Sequence, residues 1–208
     1  MKFRIVISTV ICCLILFSCG NYKNDDNKND SKIPKNIEIT IQPFNDIDSS
    51  LINAVADSIF KFCSKVRIKS KWNLPEFAYY YPRNRYKADS ILKYLSDNAE
   101  SNEVVIGITT KDISTSKGDI ADFGVMGLGR CPGNVCIASS FRLKKENIKS
   151  QLFKVAIHEL GHTYGLPHCP NKSCFMRDAE GKNPTDEEKE FCENCKVYLK
   201  NKKWKFKN

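Results

Sequence analysis

Every histidine of this 208-residue chain falls within one short stretch, His158-Glu159-Leu160-Gly161-His162-Thr163-Tyr164-Gly165-Leu166-Pro167-His168. That clustering limits what the segment can form. Residues four apart share one face of a helix, so His158 and His162 can present imidazole nitrogens to a single point, with Glu159 projecting beside them. Gly165 supplies a residue able to take positive φ, which ends the helix and turns the chain so that His168 approaches as a third ligand. The stretch is expected to be a helix followed by a sharp turn, built around a metal.

H-E-x-x-H-x-x-G-x-x-H is the pattern of a zinc-dependent peptidase. Three neutral imidazoles leave a fourth position of the ion open to water, whose pKa falls toward about 7 on zinc. Glu159 is expected to take the proton from that water. It then returns the proton to the amine that leaves when the peptide bond breaks. Hydrolysis by this route needs no covalent intermediate.

The chain continues with Cys169, Cys174 and Met176, and further on Cys192 and Cys195. With the histidine motif, this run of H-C-x4-C-x-M followed by C-x-x-C resembles the archaemetzincin family of zinc metallopeptidases, of the metzincin group, here in a bacterial lipoprotein form. The resemblance matches residue by residue at the motif and is looser elsewhere across residues 37–199. The loop over residues 177–191 is slightly shorter than in the family pattern. The resemblance implies that His158, His162 and His168 bind a catalytic zinc, that Glu159 is the general acid/base, and that Met176 forms an apolar floor below the metal, the Met-turn. It also implies that Cys169, Cys174, Cys192 and Cys195 hold a second, structural zinc, giving two ions per chain. That second site would staple a C-terminal lobe over residues 169–208, read as too poor in apolar residues to build a core of its own. A pair of disulfides among the same four cysteines is the alternative.

The N-terminus bears on that alternative. Lys2 and Arg4 precede an apolar run over residues 5–17, too short to span a bilayer comfortably. Leu16-Phe17-Ser18-Cys19-Gly20 looks like a bacterial lipobox, so residues 1–18 are expected to be a lipoprotein signal peptide and Cys19 the lipidated new N-terminus. Residues 19–35, rich in Asn, Asp and Lys, read as a flexible tether. Residues 36–208 form the catalytic domain. The expected location is the bacterial cell envelope, anchored by lipid and facing the periplasm or the cell surface. Such a compartment permits disulfides, and the turn Cys131-Pro132-Gly133-Asn134-Val135-Cys136 is a candidate for a bridge between Cys131 and Cys136.

Periodicity places helices over residues 48–66, 87–97 and 146–164, with Asp48 or Ser49 capping the first. Strands are expected over residues 37–42, 77–81, 104–109, 123–128 and 135–141. This order implies an α/β fold, a three-layer arrangement of a sheet with crossover helices. The resemblance implies the α+β metzincin form of it: a twisted mixed sheet, an active-site helix and the small zinc-stapled C-terminal lobe. It further implies that substrate lies along an edge strand above the metal, assigned here to residues 123–128, whose glycines would admit a peptide backbone or mark bulges or turns.

The formal charge of +9 falls to +7 without Lys2 and Arg4, and part of the excess sits in Lys196, Lys200, Lys202, Lys203, Lys205 and Lys207. This tail is either a solvated helix end or a contact for anionic lipid or acidic substrates, and Trp204 and Phe206 are candidates to pack back on the small lobe. Expected partners are a peptide or protein substrate and, through Cys19, a membrane, the chain being a monomer. Nucleic acid is not expected, because the cysteine pairs lack a basic and aromatic stacking arrangement. The competing reading is a metal-binding lipoprotein without turnover.

Overall fold

The computed structural model describes residues 38–45 and 47–206. The expected signal peptide, the lipidated Cys19 and the tether all lie outside the described residues. In chain order the elements are β1 (Glu38–Pro43), α1 (Ser49–Phe60), β2 (Val66–Ile68), β3 (Tyr79–Tyr80), β4 (Arg85–Lys87), α2 (Ala88–Asp97), β5 (Glu103–Thr109), β6 (Ile113–Lys117), β7 (Ile120–Val125), β8 (Gly127–Gly129), β9 (Val135–Ser139), α3 (Ile148–Thr163) and α4 (Glu193–Asn201).

The main sheet has the order β2-β1-β5-β9-β8. Neighbours run parallel except β8, which pairs antiparallel with β9 at the edge. Strands buried on both faces need apolar residues at nearly every position, and β5 and β9 supply them. Val104, Ile106 and Ile108 of β5, with Cys136 and Ala138 of β9, face the layer of α1 and α3. Val105, Val135 and Ile137 face the opposite layer, where α2 adds Ala88, Ile91, Leu92 and Leu95. The result is a helix layer on each side of a mixed sheet. A second small sheet, β3-β4-β6-β7, holds the two hairpin segments.

The capping expected at the first helix is present: the Asp48 carboxylate accepts from the backbone N–H of Ser50 at 2.7 Å and of Leu51 at 3.3 Å. That helix ends earlier than its apolar spacing implied. The N–H groups of Phe62 and Cys63 both reach back to the Ile59 carbonyl, and Val66 belongs instead to β2, beside β1. The strand expected over residues 77–81 is reduced to Tyr79–Tyr80 between two 3-10 turns, because Pro75 and Pro82 carry no N–H for a ladder.

The C-terminal lobe departs from expectation in its packing. Phe175, Met176, Phe191, Leu199 and Trp204 are buried and join the same core as α1 and α3. Phe62 stacks with Phe153 and meets Phe191, Trp204 and Phe206 within ring-to-ring distances of 5.7–6.4 Å. The lobe therefore shares an aromatic core with the rest of the domain instead of lacking one. Trp204 packs inward as its alternative reading had it, and Lys196 pairs with Glu190 and Glu193 at 2.8 and 2.9 Å.

Candidate active site

α3 carries His158, Glu159 and His162 under the edge strand β8. Its apolar face, Leu152, Val155, Ala156 and Leu160, is buried against the sheet, which fixes the rotation of the helix and turns the two histidines toward an open cleft of about 720 Å³. Beyond the helix Gly165 adopts φ 86°, a conformation that few side chains tolerate, and the chain returns with His168. Ligand atoms of His158, His162 and His168 all lie within 4.8 Å of one another.

The hydrogen bonds behind the rings decide what the three can hold. Nδ1 of His158 lies 2.7 Å from the Phe175 carbonyl, and Nδ1 of His162 lies 2.8 Å from the Leu166 carbonyl. A carbonyl only accepts, so each Nδ1 carries the proton and each Nε2 presents a lone pair. Those two Nε2 atoms stand 3.1 Å apart. Burial first, and then neighbouring His162, push the His158 pKa down to about 3, so an extra proton does not relieve the clash of lone pairs. A cation between them does, and nitrogens 2.0–2.1 Å from one tetrahedral ion stand about 3.3 Å apart. Behind His168, the Asp178 carboxylate lies 3.5 Å from Nδ1 and is itself fixed by the N–H of Glu180 at 2.9 Å.

Met176 is fully buried, its sulfur packed against α3 at Gly161, where a β-carbon would stand 2.5 Å from it and require the methionine to move. Glu159 is 7% exposed, and burial pushes its pKa up to about 8. Its carboxylate packs directly under Gly127 of β8. A β-carbon there would stand 2.5 Å from Oε1.

A second cluster adjoins Met176, whose N–H reaches the Cys174 sulfur. Cys169 Sγ stands 3.6 Å from Cys192 Sγ and Cys174 Sγ 3.7 Å from Cys195 Sγ, and the four sulfurs all lie within 4.8 Å of one another. Four sulfurs at about 2.3 Å from one zinc form a tetrahedron with edges near 3.8 Å, whereas a disulfide brings two to about 2.05 Å. The Cys174 sulfur also accepts from the N–H groups of Cys192 at 3.3 Å and Met176 at 3.5 Å, as a thiolate would. The donor set fits zinc.

Residues 35–201 match Peptidase family M54. The chain belongs to this family. It is 31% identical over 156 residues to the archaemetzincin of Methanopyrus kandleri, an alignment covering 73% of this chain and 87% of that protein. Among solved structures it resembles the Methanopyrus kandleri archaemetzincin with a TM-score of 0.69 at 28% identity, covering 82% of this chain and 99% of that one. The archaemetzincin of Archaeoglobus fulgidus, solved in complex with malonate, matches with a TM-score of 0.67 at 29% identity, over 77% of this chain and 99% of that one. As a member of M54 the chain is a zinc metallopeptidase with the mixed α/β fold of the archaemetzincins. The alternative of a metal-binding protein without turnover is not favoured.

Two sequence expectations change. Cys131 and Cys136 are not bonded to each other. Cys136 is fully buried on β9, opposite Gly129 in the ladder, while Cys131 lies past the end of β8, with its sulfur 3.9 Å from the Leu166 carbonyl. The edge strand assigned to residues 123–128 is divided at Met126, its first part pairing with β6 and its second, β8, with β9, and both parts border the cleft. The glycines of β8 admit the active helix, not only a ligand: a β-carbon on Gly129 would stand 2.8 Å from the Glu159 carbonyl oxygen. Asp178 and the carbonyls of Phe175 and Leu166, which hold the rings, carry no spacing signature that would have exposed them.

Proposed function

We propose that the chain is a metzincin-type peptidase in which His158, His162 and His168 hold the catalytic zinc and Glu159 is the general acid/base. The observation that carries this reading is the pair of facing Nε2 lone pairs, 3.1 Å apart, beside a buried carboxylate. Bound zinc would supply an acidified water and polarise the peptide carbonyl. Glu159, whose pKa burial pushes up to about 8, accepts the proton of the attacking water and delivers it to the departing amine. Phe175, Leu166 and Asp178 fix the tautomers and orientation of the three rings. The unpaired edge of β8 orients an extended peptide by main-chain hydrogen bonds.

Cys169, Cys174, Cys192 and Cys195 hold a second zinc, making two ions per chain, and tie the Met176 loop to α4. Residues 36–208 act as one catalytic domain, monomeric, on peptide or protein substrates. The basic residues Lys2 and Arg4, the apolar run over residues 5–17 and the Leu16-Phe17-Ser18-Cys19-Gly20 sequence support processing at Cys19, lipid anchoring and residence in the cell envelope.

The test is a peptide-library digest by the full chain in detergent, loaded with zinc, beside Glu159→Ala. Cuts made only by the unmutated protein, with equal zinc in both, are expected; identical digests from the two would remove Glu159 from the reaction. Anchoring is read separately, since Cys19→Ser should move the protein from the detergent phase to the aqueous phase.

A further inference from the structure

The cleft extends past the histidines along α3 to Lys154 and Val155, one helical turn back from His158 and so about 6 Å along the axis. Across from them the loop containing Pro184, Thr185 and Glu188 closes a recess. Glu188 is 4% exposed and lines this recess. Its acidic neighbours in the loop are exposed and engaged, Asp186 by Lys144 and Glu187 by Arg177. Glu188 has no such partner: among the described residues no cation stands within ion-pair distance of its carboxylate and no donor hydrogen-bonds to it.

The cations closest at hand are engaged elsewhere. Lys154 Nζ donates to the carbonyls of Thr185 at 2.7 Å and Glu188 at 2.6 Å, backbone oxygens that hold it off the carboxylate. Arg177 is bound to Glu187 and to the Lys172 carbonyl. Burial accordingly pushes the Glu188 pKa up to about 7, with Lys154 and Arg177 pulling only part of the way back. A buried carboxylate left this way is costly unless something else completes it.

We infer that Glu188 is a specificity-determining residue, and that the recess takes a lysine or arginine side chain of the substrate adjacent to the scissile bond. The aliphatic stem lies along Val155 and Pro184, and the cationic head reaches Glu188, as long basic side chains divide between apolar walls and a polar end. The distance suits it, because a residue next to the scissile peptide lies about 3.3 Å along an extended chain and a lysine adds the rest. This rests on the peptidase reading of the cleft.

Two measurements separate this inference from that reading. In the library digest, lysine or arginine should be enriched about tenfold over norleucine at one position flanking the cut, and Glu188→Gln should erase the enrichment. Independently of turnover, zinc-loaded Glu159→Gln protein is titrated with pooled peptides differing only by lysine or norleucine at each position. Lysine peptides should bind about tenfold tighter, and adding Glu188→Gln should close the gap. Cleavage without basic preference, or equal binding of the lysine and norleucine peptides by protein with intact Glu188, overturns the inference and leaves the peptidase standing. A basic preference in binding with no cleavage sustains the recess and removes the peptidase.

Discussion

Gly129 rests on Glu159: a β-carbon at position 129 would stand 2.8 Å from the Glu159 carbonyl oxygen and 3.3 Å from its Oε2. The edge strand and α3 are thus packed backbone to backbone, and the Glu159 carboxylate is located by that contact. Gly129→Ala must push β8 and α3 apart, since a helix carbonyl cannot rotate away as a flexible side chain does. The expected cost is about 1–3 kcal/mol of stability. Peptidase activity should fall by more than that loss implies, because displacement of a general base by about 1 Å costs on the order of a hundredfold. Melting temperature, zinc content and digest rate, measured together, check it; an alanine variant with unchanged activity would show that the strand does not set the position of Glu159.

Asp178 stands behind His168 at 3.5 Å and is not itself among the metal ligands. Its carboxylate orients the most exposed ring of the triad, the other two being held by carbonyls that no substitution removes. Asp178→Asn keeps the shape and loses the charge. Zinc affinity at the histidine site should weaken by about 10–100-fold. A competition titration against a coloured chelator reads this directly, with the cysteine site as the internal control, which should not respond.

Glu103 begins β5 as a buried carboxylate held by Lys69 at 2.8 Å, Arg67 at 3.0 Å and the Thr40 hydroxyl at 2.6 Å. Burial raises its pKa, but the bonds from Lys69, Thr40 and the Glu100 N–H outweigh that and bring it down to about 2 from the ordinary 4.5. A depressed folded-state pKa contributes stability that is complete above the unfolded value and is lost as pH falls toward the folded one. The unfolding free energy should therefore drop between about pH 4.5 and pH 2, by on the order of 2 kcal/mol after allowance for solvent screening, as read from denaturation curves across that range. In Glu103→Gln this acid-side slope should be reduced; an unaltered slope would assign the acid sensitivity to other carboxylates.

What could be read from the chain before its structure follows from how locally each feature is encoded. The histidine triad depends on helical periodicity plus one glycine, and both lie within the motif, so spacing alone brings His158, His162 and His168 together. α2, α3, β5 and β9 carry strong apolar patterns and emerge close to their expected bounds, whereas α1 stops six residues short of its own. The break at Met126 was hidden because residues 123–128 form one apolar and glycine run with no breaker at Met126, while the partners that divide them, β6 and β9, lie on opposite sides of it along the chain. Asp178 and Glu188 were hidden for another reason: they sit in an irregular loop, and what faces them comes from elsewhere in the chain, His168 after the Gly165 turn for Asp178 and the cleft along α3 for Glu188. The shared aromatic core of the C-terminal lobe depends on Phe62 and Phe153, contributed from far upstream.

The cysteines offer a last discriminating measurement. Cys131 is exposed at the rim of the cleft, Cys63 and Cys136 are buried with their thiol pKa values pushed up by burial, and the remaining four cysteines from 169 onward form the cluster. Thiolates react and thiols do not, and sulfurs on zinc are shielded. Alkylation of the folded, zinc-loaded protein at mildly alkaline pH should therefore label Cys131 ahead of the other described cysteines. Removal of zinc by a chelator should then expose Cys169, Cys174, Cys192 and Cys195 together. A peptide map resolves both stages by mass. Linked peptides in the untreated protein, either Cys131 with Cys136 or pairs within the cluster, would replace the zinc site or the free thiol with a disulfide; four labels appearing in one step with release of zinc would tie the C-terminal lobe to the metal.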